Sequence, residues 1–365
     1  MRAILAALIA CLLLDGCALT HRMHRHVAPG VAKEIPTLPQ LASRDVVEAF
    51  VGEAQPGRDL GSLASWLAPD GATWVIATAT RSDRLLVFDG DSGKLLRTVG
   101  ASGTGAGQFR HPDGITAYAE LLFVVERDNH RVQVLQLPDF KPLGSFGSEQ
   151  LRSPLGIWLH ETAPDEYEVL VTDNDSDGKS TPPAAHSGQR VKRYRVRVDD
   201  GALHADYAGA FGDSTPSGAL RSVESIVGDD DNGRLAIAEQ GNVGSRVHVY
   251  GMDGRGSGKQ IGAQQYRARA GGLALFSCAD GSGYWVGVDR DPQHSAFLLF
   301  DRKSLAYLGA FTGKGIADIG GIVLQSASTP HFPDGALYAV SNDAAIVAFD
   351  WHKIAQALAM NRDCR

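Results

Sequence analysis

Oxygen-rich runs are the first chemistry this sequence offers. Asp173-Asn174-Asp175-Ser176-Asp177-Gly178-Lys179 alternates oxygen donors and carries glycine at its sixth position, as a calcium loop does. The twelfth position is Ala184, where such a loop would end in glutamate, so a surface turn is the simpler reading and calcium the alternative. Asp229-Asp230-Asp231-Asn232-Gly233 reads in the same way as a tight hairpin turn, with Asn-Gly supplying the positive φ angles, before it reads as a metal site. His111, His186, His294 and His331 are scattered and show no triad spacing. Ser295 and Ser341 lack the Gly-x-Ser-x-Gly elbow that exposes a nucleophile, which argues against serine-hydrolase chemistry. No cysteine pair has metal-ligand spacing; in an oxidising compartment Cys278 and Cys364 could form one disulfide.

The elements that must position such groups are short strands. An apolar strand, a turn, an alternating strand and an acidic or glycine turn recur six times, with Phe88, Leu135, Tyr194, Tyr250, Phe300 and Phe349 marking one position per unit. The intervals between markers are 47, 59, 56, 50 and 49 residues. Strand-built units of this length cannot bury both faces alone and stack radially, which predicts an all-β, six-bladed β-propeller. Trp66, Trp74, Trp158 and Trp285 are expected to pack between blades. After Phe349 the sixth unit has no outer strand, and Trp351 to Leu358 reads instead as a short C-terminal helix. The segment Asp45 to Val51 is expected to supply the missing strand and close the ring.

Composition narrows the function classes. With 44% hydrophobic and 21% charged residues the chain is an ordinary globular one, and its 42 glycines suit a turn-rich β fold. A net charge of −7 provides no basic footprint, so nucleic acid is not an expected partner. Residues 1–16 read as a signal peptide: Met1-Arg2 is followed by an apolar run, Ala3 to Leu14, too short to span a bilayer. It ends in Leu14-Asp15-Gly16-Cys17, which resembles a bacterial lipoprotein processing box and makes Cys17 the expected site of lipidation. Residues 17–44, with His21, His24 and His26 among arginines and then three prolines, read as a flexible tether, the propeller filling 45–365. The expected setting is the periplasm or cell surface, with a monomer touching the membrane only through its lipid anchor.

Two stretches carry a family resemblance. Gly107-Gln108-Phe109-Arg110-His111-Pro112-Asp113-Gly114-Ile115, running on to Asp128-Asn129-His130-Arg131-Val132, looks like an NHL-type propeller repeat, which speaks for the fold only. From about residue 60 to 360 the chain is similar to the calcium-dependent β-propeller phytases of bacteria. The motifs are Val223-Glu224-Ser225-Ile226 through Asp229 to Glu239, Gly272 to Leu275 with Gly281 to Asp301, and Ala345 to Ala355. Val124-Val125-Glu126-Arg127 resembles the strand that delivers a phosphate-binding arginine. The resemblance implies a phosphoric monoester hydrolase acting on phytate or a related phosphorylated small molecule, with calcium as cofactor. It makes Glu224 and Glu239 catalytic calcium ligands and Arg127 the phosphate clamp, with Asp289, Asp318 and Asp343 as further ligands.

The chain also departs from that pattern. Where the family shows Asp-Ile-Glu-Gly this sequence has Arg269-Ala270-Gly271-Gly272, and near Ile316 to Ile322 a Thr-Asp-Gly-Ile-Asp run is reduced to Asp318. Leu155 replaces a tyrosine and Asp173 a lysine. Since ligand charge sets calcium affinity, a non-catalytic propeller that binds a ligand or protein partner through its mouth is the alternative function.

Overall fold

In the computed structural model, residues 41–175, 188–215, 218–239 and 245–360 are described. Six sheets follow one another along the chain, each running from an innermost strand outward through antiparallel neighbours. The innermost strands are Leu60–Leu67, Pro112–Tyr118, Pro154–Ala163, Val223–Asp229, Arg269–Ser277 and Ile319–Gln325. Neighbouring inner strands pack side by side around a ring, the last against the first. The chain is a six-bladed β-propeller.

Its core consists of the faces between blades, and the repeat markers lie there. Phe88, Leu135, Tyr194, Tyr250, Phe300 and Phe349 are all at most 2% exposed. Each marker belongs to the third strand of its blade, whose alternate side chains enter the two flanking interfaces. Trp66 and Trp285 are buried, whereas Trp74 and Trp158 are half-buried. The ring Cζ2 of Trp158 would lie 2.1 Å from a Cβ on Gly228, so the next blade must present glycine there.

Ring closure differs in detail from the single outer strand expected of Asp45 to Val51. Phe50–Val51 does pair antiparallel with Ala345–Asp350 as the outer strand of blade 6. Arg44–Asp45, however, pairs in parallel with Tyr307–Thr312 and adds a fifth strand to blade 5. The amino-terminal segment therefore laces two blades, with Val46 buried between its two short strands. The helix Trp351–Ala357 is capped by Asp350, which accepts from the His352 amide at 2.9 Å, and Trp351 stacks on Phe276 at 4.2 Å.

Three further expectations fall on particular residues. Asp229 to Gly233 is the expected hairpin turn between antiparallel strands, but it is built as a 3-10 turn over Asp230–Asn232 in which only Gly233, and not Asn232, has positive φ (60°). Asp229 is instead drawn into a buried ion pair with Arg302. Cys278 is disulfide-bonded; Cys364, its expected partner, lies outside the described residues, as do Cys17, the signal segment and residues 176–187 of the calcium-like loop.

Candidate functional site at the channel mouth

One backbone irregularity, repeated six times, builds the mouth of the channel. Between the first and fourth residues of each tetrad 60–63, 112–115, 154–157, 223–226, 270–273 and 319–322, the inner strand carries one residue more than its partner. Such a bulge re-aims side chains. The two bulged residues are Gly61-Ser62, Asp113-Gly114, Leu155-Gly156, Glu224-Ser225, Gly271-Gly272 and Gly320-Gly321. The second is always glycine or serine, and the spacing explains why. A Cβ on Gly114 would meet the Leu155 carbonyl at 2.1 Å, on Gly156 the Glu224 carbonyl at 2.3 Å, and on Gly321 the Gly61 carbonyl at 2.5 Å. The first bulged residue faces the mouth, and in blades 2 and 4 it is an acid.

A cavity of about 130 Å³ lies there, lined among others by Asp113, Glu224, Arg290 and Asp343. The backbones of both acids are pinned by the preceding blade: the Thr78 hydroxyl donates to the Asp113 carbonyl and the Thr172 hydroxyl to the Glu224 carbonyl, each at 2.8 Å. Burial raises the Asp113 carboxyl to about 7, with Glu224 and Asp128 raising it further and Arg127 opposing. Burial also raises Glu224, while Arg290 and Arg269 pull it down. The Glu224 charge, supplied by a different blade, thus disfavours ionisation of Asp113 across the mouth.

Arg290 anchors the opposite rim. Its Nε donates to Asp318 at 2.7 Å and its Nη2 to both oxygens of Asp343, at 3.0 and 3.2 Å. The Arg290 hydrogen bond holds Asp318 below the usual carboxylate range, whereas burial leaves Asp343 above it. Arg127 follows the buried strand-end Glu126 and is one-third exposed; its Nε donates to Asp128 at 3.0 Å and its Nη2 approaches His111 Nδ1 at 3.0 Å. His111 Nε2 stands 4.0 Å from Asp113 Oδ2.

Arg127, Glu224, Asp318 and Asp343 therefore belong to one mouth network, but Glu239 and Asp289 do not. Glu239 and Asp289 occupy the same place in their blades as Glu126 and Asp173, at the end of the second strand and opposite the inner-strand residue that precedes the bulge. At that place the carboxylate caps the chain entering its own blade. Asp289 accepts from the Arg267 and Ala268 amides at 2.9 and 2.8 Å, and Asp173 from those of Arg152 and Ser153. Glu239 accepts from the Arg221 amide at 3.0 Å and faces His248 Nε2 at 3.2 Å. Both Glu239 and Asp289 are buried and committed to these partners.

This arrangement bears on calcium, which takes six to eight oxygen ligands. Glu239 and Asp289 are occupied by backbone amides and Asp318 and Asp343 by Arg290. Among the described residues no group of three or more His, Cys, Asp or Glu side chains stands together to hold a metal ion. The donors present do not fit the carboxylate cluster that the phytase resemblance implies.

Asp113, Arg290 and His111 are the site residues that motif matching leaves out. Their signal is internal. Lining up the six bulges makes Asp113 the counterpart of Glu224, and lining up the strand ends makes Asp289-Arg290-Asp291 the counterpart of Glu126-Arg127-Asp128.

No family model matches the chain, and no curated protein matches it. Among solved structures, it is similar at 12% identity to the hydrazine synthase of Kuenenia stuttgartiensis, over 84% of this chain and 96% of that one, with a TM-score of 0.47. A streptogramin B lyase is 12% identical over 80% of this chain and 94% of its own, with a TM-score of 0.46. A catalytically inactive virginiamycin B lyase from Staphylococcus aureus, solved with quinupristin, is 11% identical over 81% and 97%, also at 0.46.

Proposed function

We propose that this protein is an extracytoplasmic, lipid-anchored propeller that binds a phosphorylated small molecule at its channel mouth, holding phosphate through Arg127. One observation carries the reading: neither Nη nitrogen of Arg127 meets a carboxylate among the described residues, and its charge acts on a protonatable mouth acid, Asp113. A fork of N–H donors suits phosphate. An acid that titrates near neutrality lowers the repulsion a phosphate would otherwise meet. The ordered resemblance to phytases over residues 60–360 supports the same ligand class.

Calorimetric titration with phytate tests it. Wild type should bind, and Arg127→Ala should weaken binding by about tenfold or more, the worth of a charge-assisted hydrogen bond. Equal affinity in the two proteins would remove Arg127 from the site.

Phosphate-ester hydrolysis is the second reading, favoured by the His111–Asp113 pair. Burial lowers the imidazole and raises the carboxyl to about 7, setting a neutral imidazole beside a carboxyl that exchanges its proton near neutral pH, where acid–base groups work best. Release of phosphate from phytate by wild type but not by Asp113→Asn supports this reading, and release by neither protein discards it.

A further inference from the structure

His111 sits at a backbone position that side chains seldom occupy. Its φ is 48°, and left-handed backbone is unfavourable for a residue other than glycine, so it persists where its surroundings hold it. Here two contacts hold it: the His111 amide donates to Asp83 at 2.8 Å, and its carbonyl accepts from the Arg127 amide at 3.1 Å. Together they place the imidazole against the Arg127 guanidinium, with Nδ1 3.0 Å from Nη2.

The chemistry of that contact fixes the ring. A guanidinium only donates, so Nδ1 must offer its lone pair and the ring proton must reside on Nε2, on the side of Asp113. Asp128 accepts a hydrogen bond from the Arg127 Nε–H at 3.0 Å. The guanidinium is thus gripped at two nitrogens, and its Nη1 has no hydrogen-bond partner among the described residues.

We propose that neutral His111 is the positioning residue that aims Arg127 at the ligand phosphate, and that protonating His111 breaks the grip. This role rests on the reading of the mouth as a phosphate site. Protonated, Nδ1 becomes a donor facing another donor, and two like charges stand in contact. The groups facing the ring are Arg127 on one side and Asp59, Asp83, Asp113 and Asp128 on the others. Burial and Arg127 outweigh the acids and keep the imidazole below its usual value, hence neutral at pH 7. Binding should therefore be full at neutral pH and decline as pH falls through the depressed value.

His111→Asn separates positioning from mere structure. Its Oδ1 can accept from Arg127 where Nδ1 does, it cannot titrate, and asparagine tolerates left-handed backbone. The full chain is titrated with phytate from pH 5 to pH 8 as wild type, His111→Asn and His111→Ala. At pH 7.5 the asparagine variant should match wild type within about twofold, and the alanine variant should bind about tenfold more weakly, one charge-assisted hydrogen bond being lost. As pH falls toward 5 wild type should weaken progressively relative to His111→Asn, by up to about tenfold as the imidazole takes up its proton. Phytate's own protonation cancels in that ratio. Wild type and His111→Asn tracking each other across the range would overturn the proposal, as would full binding by His111→Ala. Absence of phytate binding by wild type counts against the phosphate reading itself, and the grip is then read from the imidazole nitrogen NMR shifts of His111. A neutral ring protonated on Nε2, lost in Arg127→Ala, upholds the grip; a ring protonated on Nδ1 refutes it.

Discussion

Asp113 is the residue on which the mouth's electrostatics turn. Its folded carboxyl titrates at about 7, against about 3.8 when unburied, because burial disfavours the anion and Glu224 adds to the effect. A raised carboxylate makes folding less favourable as pH climbs, since the unfolded chain ionises first. The cost is absent below pH 4 and complete above about pH 7. Asp113→Asn should therefore melt with wild type at pH 4 and a few degrees above it at pH 8, as followed by circular dichroism. The reverse order would show that Asp113 is stabilised as an anion. His111 works in the opposite sense: its lowered value favours the folded state above the ordinary imidazole range, and that contribution is lost as pH falls through it.

Legibility at the residue scale follows from what a side chain is compared with. Glu224 can be picked out because a family motif surrounds it. Asp113 lies in a stretch whose glycine and proline speak only for a blade, and it becomes visible once the six bulges are superposed. Glu239 matches its motif equally well, yet its hydrogen bonds go to a backbone amide and His248. A motif match gives residue type and order, but it does not tell whether a carboxylate points into the channel or back to its own chain.

That distinction belongs to the elements. The bulged inner strand supplies the mouth, and the end of the second strand supplies the caps. Asp289 is 6% exposed and each of its oxygens accepts a backbone amide. Asp289→Ala leaves the partly buried Arg267 and Ala268 amides without their acceptor and should cost about 1–3 kcal/mol in urea unfolding. Phytate affinity of the folded variant should stay within about twofold of wild type, because no lost contact reaches the ligand. A collapse in affinity with stability intact would return Asp289 to the site. The strand pattern was readable because apolar alternation and acidic turns recur at blade spacing. The bulges were not: an extra residue shifts the inward–outward alternation by one, but each lies at the start of its inner strand, with too few residues before it for the shift to show. Their small second residue is the trace they leave. Gly156→Ala tests its meaning: a Cβ 2.3 Å from the Glu224 carbonyl must displace blade 4, at a cost of about 1–3 kcal/mol.

At the scale of the whole molecule, the ring depends on its lacing. Blade 6 draws its outer strand from Phe50–Val51, and Arg44–Asp45 borders blade 5. Backbone bonds from Val46 to Thr312, Ala49 to Ala348 and Gly52 to Ile346, at 2.9, 2.7 and 2.8 Å, continue both pairings. Removing residues 41–52 should expose the edge of Ala345–Asp350 and speed amide hydrogen exchange there and in Tyr307–Thr312, leaving blades 2 and 3 protected. Uniform exchange across all blades would mean that closure is shared by the whole ring.

The ring brings Arg127 and Arg290, which lie 163 positions apart, to the mouth acids Asp113 and Glu224, the second of which raises the first. Arg290 is spent on Asp318 and Asp343, so these carboxylates are not free to join a calcium cluster, and in the proposed reading it is Arg127 that holds phosphate. The most direct test is the affinity for phytate measured in EGTA and again in millimolar calcium. Equal binding in both, lost in Arg127→Ala, is the predicted result. Binding that appears only with calcium would contradict the account.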